Sequence, residues 1–182
     1  MALLVLGILV WWGAHFFKRL APAKHASLGD RGKGLVAIAI ATSIVLMIVG
    51  YRSTEFIYVW APPSFTVHIN NTLVLIALFL MSPAAKKGAV LNRMRHPMLT
   101  GFALWAFAHL LVNGDLASMI LFGGLLVYVP IQMTLINRAE GPWVPGPKGS
   151  LAKDAMFFFA SILLLGAIGY IHGLIGPSPF PG

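Results

Sequence analysis

Apolar residues run along this chain in six blocks, separated by short polar stretches that carry nearly every charge. The blocks cover residues 2–17, 35–51, 65–81, 97–112, 116–135 and 155–175. Each is roughly 16 to 21 residues long, close to what a helix needs to cross the hydrocarbon layer of a bilayer. The first and fourth are the shortest, which suits a tilted or re-entrant segment. The turn Asn113-Gly114-Asp115 predicts an antiparallel hairpin between the fourth and fifth blocks. The stretch 137–154, with Gly141-Pro142 and Pro145-Gly146-Pro147, predicts an irregular surface loop, and the sixth block leads into a Pro/Gly tail. No repeat or soluble domain interrupts the pattern. It predicts one all-α integral-membrane domain over residues 1–182, a polytopic bundle of about six spans.

Composition agrees. The 182 residues are 58% hydrophobic and 10% charged, and the mean hydropathy is +0.84. A soluble domain carries roughly a quarter of its residues as charges, so the outer surface here must face the lipid bilayer. The net charge of +8 would suggest a nucleic acid partner in a soluble protein, but its distribution points to membrane orientation instead. Lys18, Arg19, Lys24, Arg31 and Lys33 follow the first block. Lys86, Lys87, Arg93 and Arg95 follow the third, and Arg138, Lys148 and Lys153 follow the fifth. Only Arg52, of the 13 basic residues, lies on the other side. The positive-inside rule makes the basic side cytoplasmic and both termini periplasmic. The first apolar run has no basic residue before it and two directly after, unlike a cleaved signal peptide.

The chemistry open to these spans is narrow. The chain has no cysteine, which removes disulfides, thiolate metal sites, covalently attached haem and cysteine nucleophiles. Asp30, Glu55, Asp115, Glu140 and Asp154 all lie in loops or at block ends, so no carboxylate pair serves acid–base chemistry in mid-membrane. Ser43, Ser118 and Ser161 lack a nucleophile context and are expected to bond carbonyls of their own helices.

The histidines stand out. His15, His68, His109 and His172 lie within or at the ends of the blocks, and an ionisable group there points to function. Neutral imidazole is a ready ligand for haem iron. On a helix, His109 shares a face with Phe102, Trp105 and Asn113, while Gly101 and Ala108 leave room for close approach. That face suits either a cofactor ligand or a histidine bonded to a neighbouring helix. His15 follows Trp11 and Trp12, which could flank a cofactor or mark the membrane interface. His68 reads as an interfacial polar residue, and His172 lies in a Gly169-to-Gly173 spacing typical of close helix packing. His25 reads as solvated. Arg93-Met-Arg95-His96-Pro97 places cationic side chains before a helix-starting proline. The free amides there suit a carboxylate or propionate, and an ordinary helix start explains them equally well.

The run from Asn92 to Asp115, with Arg95-His96-Pro97, Gly101, Trp105, His109 and Asn113-Gly114-Asp115, resembles the signature of the NnrU family. Those are small bacterial membrane proteins linked to denitrification, and they are similar to 15-cis-zeta-carotene isomerase, a haem b membrane enzyme. The resemblance covers about residues 3–137 and includes the His15 region, His68 and the 13-residue separation of His96 from His109. It implies a bacterial inner-membrane protein with a haem b whose axial ligands are His15 and His109, with Arg95, His96 and Trp105 around the cofactor. His15 lies near the basic end of its span, whereas His109 is roughly 20 Å from Arg95 along its own helix. His172 or His68, at the depth of His109, is therefore the alternative second ligand. The implied role is support of nitrogen-oxide respiration, with a gaseous ligand such as nitric oxide. Whether it would act as an enzyme, a sensor or an assembly factor is open. The alternative is haem-dependent cis–trans isomerisation of a carotenoid-like polyene. Arg-His-Pro with a glycine four residues after the proline also resembles the membrane methyltransferases that use S-adenosylmethionine. Their later acidic pair is reduced here to Glu140 in Asn137-Arg-Ala-Glu-Gly-Pro142.

Overall fold

The computed structural model describes residues 1–180. In chain order the helices are α1 (Ala2–Leu20), α2 (Pro22–Ser27), α3 (Gly29–Arg52), α4 (Thr66–Met81), α5 (Ala84–Lys87), a 3₁₀ turn (Leu91–Arg93), α6 (Pro97–Leu110), α7 (Leu116–Glu140) and α8 (Leu151–Ile175). Among the described residues there is no β-strand, only an isolated bridge between Tyr58 and Asp115. Four helices, α1, α3, α7 and α8, are long and apolar enough to cross a membrane, and α4 and α6 are shorter apolar helices. Large apolar side chains remain exposed along them, for example Ile38, Leu163 and Leu174. Such a surface is stable against lipid. The protein is an all-helical membrane bundle.

Helix ends differ from the hydropathy blocks for a physical reason. Backbone hydrogen bonding continues past the hydrocarbon edge, while long basic side chains reach the headgroups. Thus α1 carries Lys18 and Arg19, and the stretch 29–34, expected as loop, forms the first turns of α3. α7 continues to Glu140, and α8 starts at Leu151, where Ser150 Oγ accepts from the Lys153 amide. The short helices are consequently the third and fourth apolar ones, of 16 and 14 residues, not the first and fourth.

The chain divides into two compact units. The first contains Met1–Trp60 and Gly114–Pro142. Here α1 packs along α3 through small residues. A Cβ on Gly7 would fall 2.8 Å from the Met47 amide nitrogen and 2.9 Å from the Ser43 carbonyl oxygen, and Gly50 lies directly against Leu4. Close backbone approach of this kind supplies van der Waals contact that lipid chains cannot match. The other partner of α1 is α7: the Trp12 indole donates to the Gly124 carbonyl (3.2 Å), Phe16 stacks on Tyr128 (5.4 Å), and Arg19 pairs with Glu140 (2.6 Å). Asp115 caps α7, accepting from the Ser118 amide (2.9 Å) and hydroxyl (2.6 Å), and Tyr51 meets the same hydroxyl at 2.9 Å. Val59 and Trp60 donate their amides to Gly114, and Leu116 donates to Ile57.

The second unit contains Ala61–Asn113 and Trp143–Gly182. α4 is its centre, packed by α6 and α8. Gly101 of α6 meets the Ala77 carbonyl oxygen, which a Cβ would approach to 2.7 Å. The room at Gly101 is therefore filled by α4. Phe79 meets Phe158 of α8 edge-on at 5.6 Å. At the basic end, Leu80, Ala84 and Leu91 form a buried cluster with Met94, Leu104 and Phe157 against it. Asp154, 5% exposed, accepts from the amides of Ala89 (2.6 Å) and Val90 (3.1 Å), tying the loop after α5 to the base of α8.

Candidate functional site

Two histidines, one in each unit, are built the same way. In α1 the Nδ1 of His15 lies 2.9 Å from the carbonyl oxygen of Trp11, and in α6 the Nδ1 of His109 lies 2.9 Å from that of Trp105. A carbonyl only accepts, so each Nδ1 carries the proton and each Nε2 carries the ring lone pair. The bond runs one helical turn back, where the side chain at position i leans over the residue at i−4. The rings follow: Trp11 and His15 have centroids 4.2 Å apart, and Trp105 and His109 4.9 Å. Both imidazoles are half-buried.

In the first unit, Tyr128 completes the surroundings of His15. It is 2% exposed and presents its ring at 5.4 Å and 70° to the imidazole. Sequence reasoning missed Tyr128 within its apolar block, where a polar aromatic residue in mid-span is the signal that could have found it. Ser118 also differs from expectation. Ser43 and Ser161 do bond carbonyls of their own helices, at Ile40 and Phe157, whereas Ser118 joins Asp115 and Tyr51.

In the second unit, Phe102 stacks with Trp105 at 5.4 Å, and the Asn113 side-chain amide donates to the His109 carbonyl at 2.8 Å. Asn113 therefore closes the end of α6. His172 lies within electrostatic reach of His109, and its Nδ1 donates to the Pro177 carbonyl at 2.7 Å. The atoms nearest to Gly169 and Gly173 belong to the C-terminal tail and not to another helix. The Phe180 ring sits on Gly169 and Ser178 on Gly173, so the small residues receive the folded-back tail. Asn71 holds that tail by donating to the Pro179 carbonyl at 2.8 Å. His68 is exposed on the first turn of α4. His25, expected to be solvated, is half-buried with its ring 5.8 Å from that of Phe17.

At the basic end of the second unit, Pro97 occupies the first turn of α6 and His96 is its N-cap residue. The His96 carbonyl accepts from both the amide and the hydroxyl of Thr100 at 2.9 Å. Arg95 is half-buried, and its Nε is a buried donor without an acceptor among the described residues.

The architecture defines a polytopic helical membrane protein whose spans carry tautomer-fixed histidines beside tryptophan. The family described as NnrU protein matches residues 3–179, and the chain belongs to that family. The match runs through the C-terminal third, beyond the part that the motifs alone covered. No curated protein and no solved structure matches the chain.

Proposed function

We propose that this chain is a haem b-binding protein of the bacterial inner membrane, with His15 and His109 as iron ligands, and that it supports nitrogen-oxide respiration. The observation that carries the reading is the repeated Trp-x-x-x-His arrangement, with Nδ1 bonded to the Trp carbonyl in both cases. Metal-binding histidines characteristically donate their second ring N–H to such a partner, which fixes tautomer and orientation. Among the described residues no three His, Cys, Asp or Glu side chains gather into a metal-binding group. Haem suits that donor set, because the macrocycle provides four of the iron's ligands and the protein only the axial ones. The donor Nε of Arg95, buried without an acceptor just before α6, fits a propionate, with His96 beside it. Trp105 supplies an aromatic wall beside His109.

Bound haem would supply a one-electron couple, and a place for a small diatomic gas once one of its two histidine ligands is displaced. The chain's own part is to hold each imidazole neutral with its lone pair on Nε2, and to surround it with aromatic rings in place of water. The charge bias supports an orientation with Lys87 on the cytoplasmic side and both termini in the periplasm.

The test is the visible spectrum of protein purified in detergent from haem-replete cells. A Soret band, sharpened visible bands on reduction and acid–acetone release of the pigment are expected. His109→Ala and His15→Ala should each abolish or shift the spectrum, while His25→Ala should leave it unchanged. A colourless wild-type protein would overturn the haem reading. An unchanged spectrum in His15→Ala alone would transfer the second ligand to His172 or His68. A deletion strain that grows normally on nitrite without oxygen would remove the respiratory role.

A further inference from the structure

A groove of about 310 Å³ runs between α4 and α8 in the second unit. One wall is Leu78 and Met81 of α4, continued by Ser82 and Pro83. The other is a single stripe of α8, Phe157, Ala160, Ser161 and Leu164, at the three- and four-residue spacing of one helix face. The two hydroxyls do not make the groove polar, since Ser82 Oγ donates to the Phe79 carbonyl (2.7 Å) and Ser161 Oγ to that of Phe157 (2.8 Å). The groove therefore offers hydrocarbon to whatever lies in it.

Its basic end has the opposite character. Lys86 and Lys87 follow Pro83 on α5, and Lys153 sits one turn before Phe157 on the same face of α8 that lines the groove. All three are exposed. The backbone of α5 is fixed against the start of α8, with Ser150 donating its amide to the Lys87 carbonyl (3.3 Å) and Gly149 to Gly88 (3.0 Å). The three ammonium groups are thus carried on adjoining, mutually bonded backbone. The acidic group nearby, Asp154, is turned inward onto the amides of Ala89 and Val90. The ion pairs Arg19–Glu140 and Lys33–Asp30 involve none of these lysines.

An apolar channel at membrane depth, ending in three exposed cations at the headgroup level, complements one class of membrane molecule. We propose that the α4–α8 groove is a binding site for an anionic diacyl phospholipid, with an acyl chain along Leu78, Met81, Phe157 and Leu164 and the phosphate at Lys86, Lys87 and Lys153. Basic pockets between spans on the cytoplasmic side take acidic headgroups by this physics, and each nearby lysine adds to the preference for an anionic over a zwitterionic lipid. This site is independent of any haem.

The experiment is native mass spectrometry of the detergent-purified full chain. The protein is delipidated and then titrated with phosphatidylglycerol or phosphatidylcholine of matched chains. Wild-type protein should retain one phosphatidylglycerol in preference to phosphatidylcholine by at least about tenfold. The triple variant Lys86→Gln, Lys87→Gln, Lys153→Gln should lose that preference while still binding either lipid weakly. Ala160→Phe, which fills the groove, should lower retention of both. Equal retention of the two lipids by wild-type protein, or an undiminished preference in the triple variant, would overturn the proposal. Displacement of phosphatidylglycerol by inorganic phosphate at equal concentration would also overturn it, by showing an anion site without a role for the chains. The lysine variants alter exposed side chains only, so the test stands even where Ala160→Phe does not fold.

Discussion

His109 donates its Nδ1 proton to the carbonyl oxygen of Trp105, one turn earlier on α6, and the two rings lie 4.9 Å apart at 53°. The bond uses the backbone of Trp105, not its side chain. In protein without haem, ¹⁵N NMR of labelled histidine should therefore show the Nδ1–H tautomer for His15 and His109. Trp105→Phe should preserve that tautomer at His109, because the carbonyl remains. Nε2–H signals at these positions would contradict the geometry.

Gly50 lies against the Leu4 backbone, and Gly34, on the same helix, has open space where a Cβ would stand. Gly50→Val should force α1 away from α3 and destabilise the protein by about 1–3 kcal/mol. Gly34→Ala should be neutral or stabilising by up to about 1 kcal/mol, since glycine is a poor helix former. Thermal unfolding in one detergent, with all three proteins side by side, measures the difference. Equal midpoints would deny the close packing.

Asp154 holds the loop after α5 through two backbone amides. Asp154→Ala removes the one oxygen, Oδ2, that accepts from both amides and should destabilise by about 1–3 kcal/mol. Asp154→Asn keeps one acceptor oxygen and should fall between Ala and wild type. Amide hydrogen exchange at Ala89 and Val90 reads the effect locally, and should accelerate in the order Asn, then Ala.

The distribution of basic residues sets the orientation test. A reporter active only in the periplasm should work when fused after Gly182 and fail when fused after Lys87. The opposite result at either position would reverse the assigned topology.

Much of the bundle was legible in the sequence, because a bilayer imposes a simple rule. Each crossing segment must satisfy its backbone internally and show lipid an apolar surface, and the apolar blocks at residues 35–51 and 116–135 record it directly. Helix ends were less legible. Gly29–Gly34 reads as a basic loop by hydropathy but forms helix, because hydropathy measures side-chain solvation and not backbone hydrogen bonding. The glycines at 169 and 173 signalled close approach correctly, yet spacing alone does not name the approaching group, and the tail at Ser178 and Phe180 took that place.

The sequence by itself determined the solvent, the helical class, the absence of thiol chemistry and the histidines worth attention. These follow from composition and from residues within one or two turns of each other. Even the Trp11–His15 and Trp105–His109 bonds are local, since both partners sit on one helix. Tertiary structure alone decided that Tyr128 of α7 would stand beside His15, that Asp154 would anchor a loop 64 residues earlier in the chain, and that α4 and α8 would leave a groove rimmed by lysines. Those relations depend on which apolar faces pack together. In a bilayer that choice rests on shape and small-residue contact, for which hydrophobic periodicity carries no code.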